Sequence, residues 1–146
     1  MRRAFWIFVA LLGLSVPTAA FAWEFTADPI CTIRHEAGAG DWRITYDPRS
    51  ALYAITVDAP SWAAAPEFGI RFEGGDPLTI RTGAHFLSDD GKTVIVRDRG
   101  FGNVLNGLQF NATATAFLGT RSVSVGLMGA APAVEAFKAC IQAPGV

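Results

Sequence analysis

The chain has 146 residues, with 12 basic and 13 acidic side chains and a formal net charge of −1 at pH 7. This length suits one ordinary domain with its own core. Because affinity for nucleic acid rests largely on Lys and Arg at phosphates, a near-neutral chain without a basic run predicts no nucleic-acid partner.

The N-terminal segment has the three parts of a secretory signal peptide. Arg2 and Arg3 form a positive start, residues 4–16 are apolar, and Ala20-Phe21-Ala22 is an A-x-A cleavage site. We therefore expect residues 1–22 to be a leader and residues 23–146 to form a single β-rich domain. The apolar run falls short of the roughly 20 residues that a spanning helix needs. The sequence thus predicts a periplasmic or secreted protein without a membrane span after cleavage, and leaves open an uncleaved leader acting as an anchor.

Short runs of alternating apolar and polar residues follow the leader and predict β-strands. Trp42, Ile44 and Tyr46 alternate with polar residues before the turn-forming residues 47–50. The segment Ser88-Asp89-Asp90-Gly91 predicts a hairpin turn. The predicted strands are residues 31–35, 42–46, 53–57, 68–72, 78–81, 84–87, 93–97, 113–118 and 122–127.

The glycine- and asparagine-rich stretch RGFGNVLNGLQFN, residues 99–111, could form an anion-binding loop or a turn followed by a short helix. Gly-x-Gly beside a strand is a weak binding motif without the rest of a βαβ unit. We expect Gly100 and Gly102 to form a tight turn and Asn103 to cap a helix that begins at Val104. Phe101 would then share one helical face with three later apolar residues, Val104, Leu105 and Leu108.

A C-terminal helix is predicted from Pro132 in a first turn and from Val134, Phe137 and Ile141 at helical spacing. Cys31 and Cys140 are the two cysteines of the chain. Export and an even count predict that they form a disulfide that ties this helix to the first strand. The expected fold class is mainly β or α+β, an antiparallel sheet or small β-sandwich with a C-terminal helix.

The side chains that could carry chemistry are scattered. His35 and Glu36 are adjacent on a strand and so point to opposite faces; we expect His35 to lie at the edge of the core. His85 precedes a turn with two aspartates, but one histidine and one aspartate lack the ligands of a metal site. Trp62, in a Pro- and Ala-rich loop, could equally anchor a partner or fold back on the core. We predict no catalytic, cofactor-binding or metal-binding residues.

Most of residues 23–146 resembles a family of small exported bacterial proteins of unknown role. The matching segments are WEF, a strand with Cys then His, TYDPR, RDRGFGNVLNGLQFN and GLMGAAPAVEAFKAC. Members are often labelled as the B component of excinuclease ABC, a large cytoplasmic ATP-dependent DNA-repair factor. That activity is not expected here because the chain has a leader, no P-loop and no basic face. The C-terminal segment is also faintly similar to the exported invasion-associated locus B proteins. Neither resemblance transfers a catalytic residue.

These observations favour a non-enzymatic binding or interaction module of the bacterial cell envelope, without a cofactor, whose partner is an unknown envelope protein or a small ligand. The alternative is an envelope enzyme, similar to a hydrolase. Its site would have to be assembled by the fold from His35, His85 and scattered carboxylates.

Overall fold

The computed structural model describes residues 23–37 and 40–143, so the predicted leader lies outside the described residues. Ten strands and two helices follow one another along this part of the chain. They are β1 (Trp23–Thr26), β2 (Cys31–Ala37), β3 (Gly40–Asp47), β4 (Leu52–Asp58), β5 (Phe68–Glu73), β6 (Leu78–Thr82), β7 (His85–Leu87), β8 (Thr93–Asp98), α1 (Gly102–Gln109), β9 (Thr113–Leu118), β10 (Arg121–Gly126) and α2 (Ala130–Gln142).

The strands form two antiparallel sheets, which confirms the predicted β-rich α+β fold. One sheet has six strands in the order β1-β2-β3-β4-β8-β7, and the other has four in the order β10-β9-β5-β6. The predicted hairpin at Ser88-Asp89-Asp90-Gly91 is confirmed, since it joins the paired strands β7 and β8. The chain crosses between the sheets three times: after β4, between β6 and β7, and after β8 through α1.

Strand alternation places one face of the six-stranded sheet in the core. Across its strands, residues in register form inward-facing rows. One row runs from Ile33 through Ile44 and Ile55 to Val96, all buried. The facing side of the four-stranded sheet contributes apolar residues from β5 and β9, which are Phe68, Ile70, Phe72, Ala114, Ala116 and Leu118. The core lies between these two faces.

The C-terminal helix α2 packs against β1 and β2 and against α1. Val134 and Phe137 are fully buried, as its helical spacing predicted. The disulfide is present: Cys31 and Cys140 are bonded, with their Cα atoms 6.0 Å apart. It ties α2 to the second strand and not to the first, because the four residues Trp23–Thr26 form an additional strand that pairs with β2. Disulfides of this kind are typical of proteins in oxidising compartments.

The prediction for residues 99–111 is partly wrong. Helix α1 begins at Gly102, not at Val104, and Asn103 is not its cap: Phe101 occupies the N-cap position and no side chain caps the helix. Neither Gly100 nor Gly102 has a positive φ. The predicted apolar face is confirmed, since Phe101 and the residues Val104, Leu105 and Leu108 are all buried. No helix within the described ranges has the length and apolar character needed to cross a membrane.

Candidate functional site

A cavity of about 750 Å³ opens between the two sheets beside α1. Ile55 and Val96 of the six-stranded sheet form one wall, and Phe68 and Ile70 of the four-stranded sheet form the other. Ile80 continues the second wall along β6 and is only half-buried. The cavity falls within the size range of small-ligand sites, which are mostly apolar with a few polar groups at defined positions.

The end of the cavity is formed by the loop that enters α1. Phe101 and Val104 close it with apolar atoms, and Gly100 and Gly102 lie beside them at the mouth. A Cβ added at either glycine would have no atom within 4 Å. Local geometry therefore does not require these two glycines. Both are exposed and line the cavity, which relates this part of residues 99–111 to the place where the cavity meets solvent.

Charged groups of the lining are Arg81, Arg97 and Asp98. Asp98 shares the inward face of β8 with Val96 by strand alternation, and it pairs in register with Tyr53. Its Oδ1 atom accepts a hydrogen bond from the backbone N–H of Arg99 at 2.6 Å. The guanidinium of Arg81 donates to Glu67 at 2.8 Å. Asp98 is exposed at the end of β8, so its carboxylate lies where the cavity meets solvent.

The structure does not bring the two histidines together. His35 is on β2 and His85 on β7, with β3, β4 and β8 between them. Four interstrand steps place them about 19 Å apart at the usual spacing of neighbouring strands. The arrangement that a histidine-based hydrolase site would need is therefore not formed by these two residues.

His35 belongs to the core, where only 6% of its surface is exposed. Its ring centroid lies 4.7 Å from that of Trp23, its partner on β1. Burial lowers the pKa of His35 from its ordinary value, and the negative charge of Asp41 partly opposes this effect. Glu36 points to the opposite, exposed face and pairs with Arg34, so the expected separation of His35 from Glu36 is confirmed.

His85 is half-buried, with its Nε2 atom 3.0 Å from the carbonyl oxygen of Ala65. Because a carbonyl oxygen only accepts, Nε2 is the donor in this hydrogen bond. Within residues 23–37 and 40–143, no cluster of three or more His, Cys, Asp or Glu side chains could hold a metal ion. His85 thus serves to attach β7 to the loop before β5.

Trp62 folds back on the core. Its side chain is buried, its Nε1 donates to the carbonyl oxygen of Val57 at 3.1 Å, and its ring meets that of Phe68 edge to face. Of the two roles that the sequence left open, the structure shows the core role.

Sequence reasoning missed the cavity itself. The alternation Val94, Val96, Asp98 does place a carboxylate on the same side of its strand as two apolar residues, and the sequence alone shows this. The cavity itself, however, depends on how the two sheets are placed relative to each other beside β6. The alternation of residues within a single strand carries no information about that placement.

No family model, curated protein or solved structure matches this chain. Function must therefore follow from the geometry of the chain itself.

Proposed function

We propose that this protein is a non-enzymatic binding module of the bacterial cell envelope that holds its ligand in the cavity between the two sheets. The cavity carries the proposal: it has apolar walls from both sheets, and where it meets solvent it is bordered by one carboxylate and two glycines. An apolar cavity with a small number of polar groups around it is typical of a site that binds a small ligand.

The proposed location is the periplasm or the exterior of the cell. The disulfide between Cys31 and Cys140 supports it, since such bonds persist in oxidising compartments. The signal peptide expected in residues 1–22 would direct the chain there.

Valine substitutions at the cavity mouth test this function. Gly100→Val and Gly102→Val together would add two branched side chains at the mouth, where the backbone tolerates them. The matched control is Gly126→Val, which adds the same side chain in open space on β10, outside the cavity. Thermal denaturation first establishes that all three proteins are folded.

The protein would be produced from the whole chain, purified from the periplasmic fraction and incubated with soluble envelope extract. Native mass spectrometry then measures what remains bound after washing. We expect the wild type and Gly126→Val to retain a common bound species, and the mouth variant to retain at least tenfold less. Equal retention by all three proteins, or none by any, would contradict binding in the cavity.

A further inference from the structure

We infer that the ligand of this cavity is an extended peptide of about five residues that pairs with the free edge of β6 and places a basic group beside Asp98. This inference rests on the proposed function and names the chemistry of the ligand. Three features of the cavity support it: its strand edges, its apolar walls and its charge.

The first feature is the edge strand β6. Among the described residues, β6 pairs only with β5 and forms the end of the four-stranded sheet. Residues 79–82 all line the cavity, although successive side chains of a strand point to opposite faces. Because β6 has no partner on its other side, the cavity reaches its unpaired edge. Such an edge presents unpaired N–H and C=O groups, which an added strand can satisfy.

The opposite border of the cavity also leaves room for a strand. β8 pairs with β4 over its whole length, but with β7 only at residues 94–96. Arg97 and Asp98 extend beyond the end of β7, and both line the cavity. The two sheets are therefore open on this side, between β6 and the end of β8.

The apolar walls suit alternate side chains of such a peptide. Ile70 and Ile80 are paired in register on the four-stranded sheet, and both line the cavity. A peptide strand added beside β6 would continue this row with one of its own inward side chains. At the usual rise of a strand, five residues span about 17 Å and so match the length of β6.

Charge complementarity selects a basic group over an acidic one. Asp98 is exposed and lies on the same side of β8 as Val96, at the border of the cavity, whereas Arg81 and Arg97 lie on the opposite faces of their strands by alternation, and Arg81 is bound to Glu67. An ammonium or guanidinium group beside Asp98 would form a charge-assisted hydrogen bond. An acidic peptide would instead bring a second negative charge to this position.

Three synthetic peptides test the inference by nuclear magnetic resonance on the ¹⁵N-labelled protein, purified from the periplasmic fraction after expression of the whole chain. They are acetyl-Val-Thr-Val-Thr-Lys-amide, in which the valines and the lysine share one face, the same peptide ending in Glu, and the Lys peptide with Pro at its centre. We expect the Lys peptide to shift the amide signals of residues 79–82 saturably and to slow their hydrogen exchange. The Glu peptide should bind at least fivefold more weakly, and the Pro peptide at least tenfold more weakly, because Pro cannot donate to a strand ladder.

Two aspartate variants test the charge. Asp98→Asn should bring the Kd values of the Lys and Glu peptides within twofold of each other. The matched control is Asp47→Asn, because Asp47 also accepts a hydrogen bond from a nearby backbone N–H, that of Arg49, but does not line the cavity. This control should keep the fivefold preference for Lys.

Two further measurements distinguish the remaining outcomes: titration of the labelled protein with sodium laurate, an apolar ligand, and sedimentation, which detects dimers. If laurate shifts the signals of Ile55 and Val96 while no peptide affects β6, the peptide inference is overturned and the cavity remains a binding site. If β6 is protected in a dimer without any peptide, a second copy of the chain is the occupant and the inference is also overturned. If neither peptide nor laurate binds and the mouth variants retain as much as wild type, both the inference and the proposed function are wrong.

Discussion

Gly107 in α1 lies directly against the ring of Phe72 in β5, so that a Cβ at this position would overlap the ring. Both residues are buried. Of the glycines in residues 99–111, this is the one whose lack of a side chain allows the helix to approach the sheet.

Gly107→Ala should therefore destabilise the protein. In an exposed helix this substitution would stabilise by about 1 kcal/mol. Here we expect a loss of about 1–3 kcal/mol from overpacking against Phe72. Urea denaturation measures the difference, with Gly102→Ala as the control because its Cβ would lie in open space at the first position of the same helix. Equal midpoints for the two variants would contradict this role for Gly107.

Removing the disulfide should lower stability substantially. Cys31 and Cys140 are separated by 109 residues. In the chain-entropy model a loop of this length corresponds to about 4–5 kcal/mol. The double variant Cys31→Ser/Cys140→Ser should unfold at a correspondingly lower urea concentration, and reductant should shift the midpoint of the wild type but not that of the variant. Two alkylatable thiols in folded, exported wild-type protein would contradict the bond.

Stability should depend on pH through His35. Burial lowers the pKa of His35 in the folded protein below 6.5, its ordinary value, which we take for the unfolded chain. Because the unfolded chain then binds a proton more readily, stability falls as the pH drops below 6.5, until the folded pKa is reached. His35→Leu should remove this contribution. Urea midpoints at pH 7.5 and 5.5 measure it, and an equal decrease in the variant would contradict the assignment.

Trp62 should contribute to stability and not directly to binding. Trp62→Ala should destabilise the fold by about 3–5 kcal/mol, because it removes a large buried ring. Trp62→Phe keeps an aromatic ring but removes the hydrogen bond to Val57, so we expect a loss nearer 1 kcal/mol. Denaturation midpoints give both values. A Trp62→Phe protein of wild-type stability that no longer retains the bound envelope species would show that the indole contacts a partner.

The strands of this fold were predictable where one face is buried and the other exposed. In β3 the alternation of Trp42 and Ile44 with Arg43 and Thr45 follows directly from this difference. β1 was not predicted, because four residues carry little periodic signal and Trp23–Thr26 is defined by its pairing with β2. The start of α1 was also misplaced: Asn103 is a favourable cap by residue type, yet Phe101, packed in the core, holds the N-cap position.

The candidate site was less predictable than the fold. Asp98 and Ile80 are ordinary strand residues in the sequence, and only the arrangement of two sheets places them at one cavity. Trp62 shows the converse: an aromatic in a Pro- and Ala-rich loop can either pack on the core or contact a partner, and only the folded position of the loop decides between them. Neither the backbone angles nor the surrounding space requires glycine at positions 100 and 102, and neither property can be read from the sequence.

The pairing of β4 with β8 makes the two sheets inseparable along the chain. Asp58 and Thr93 are partners across these strands, and the residues between them include β5 and β6, which belong to the other sheet. The four-stranded sheet in turn needs β9, which follows β8. Any contiguous fragment that completes one sheet also contains two strands of the other, so the domain should unfold in a single cooperative transition and limited proteolysis should release no stable half.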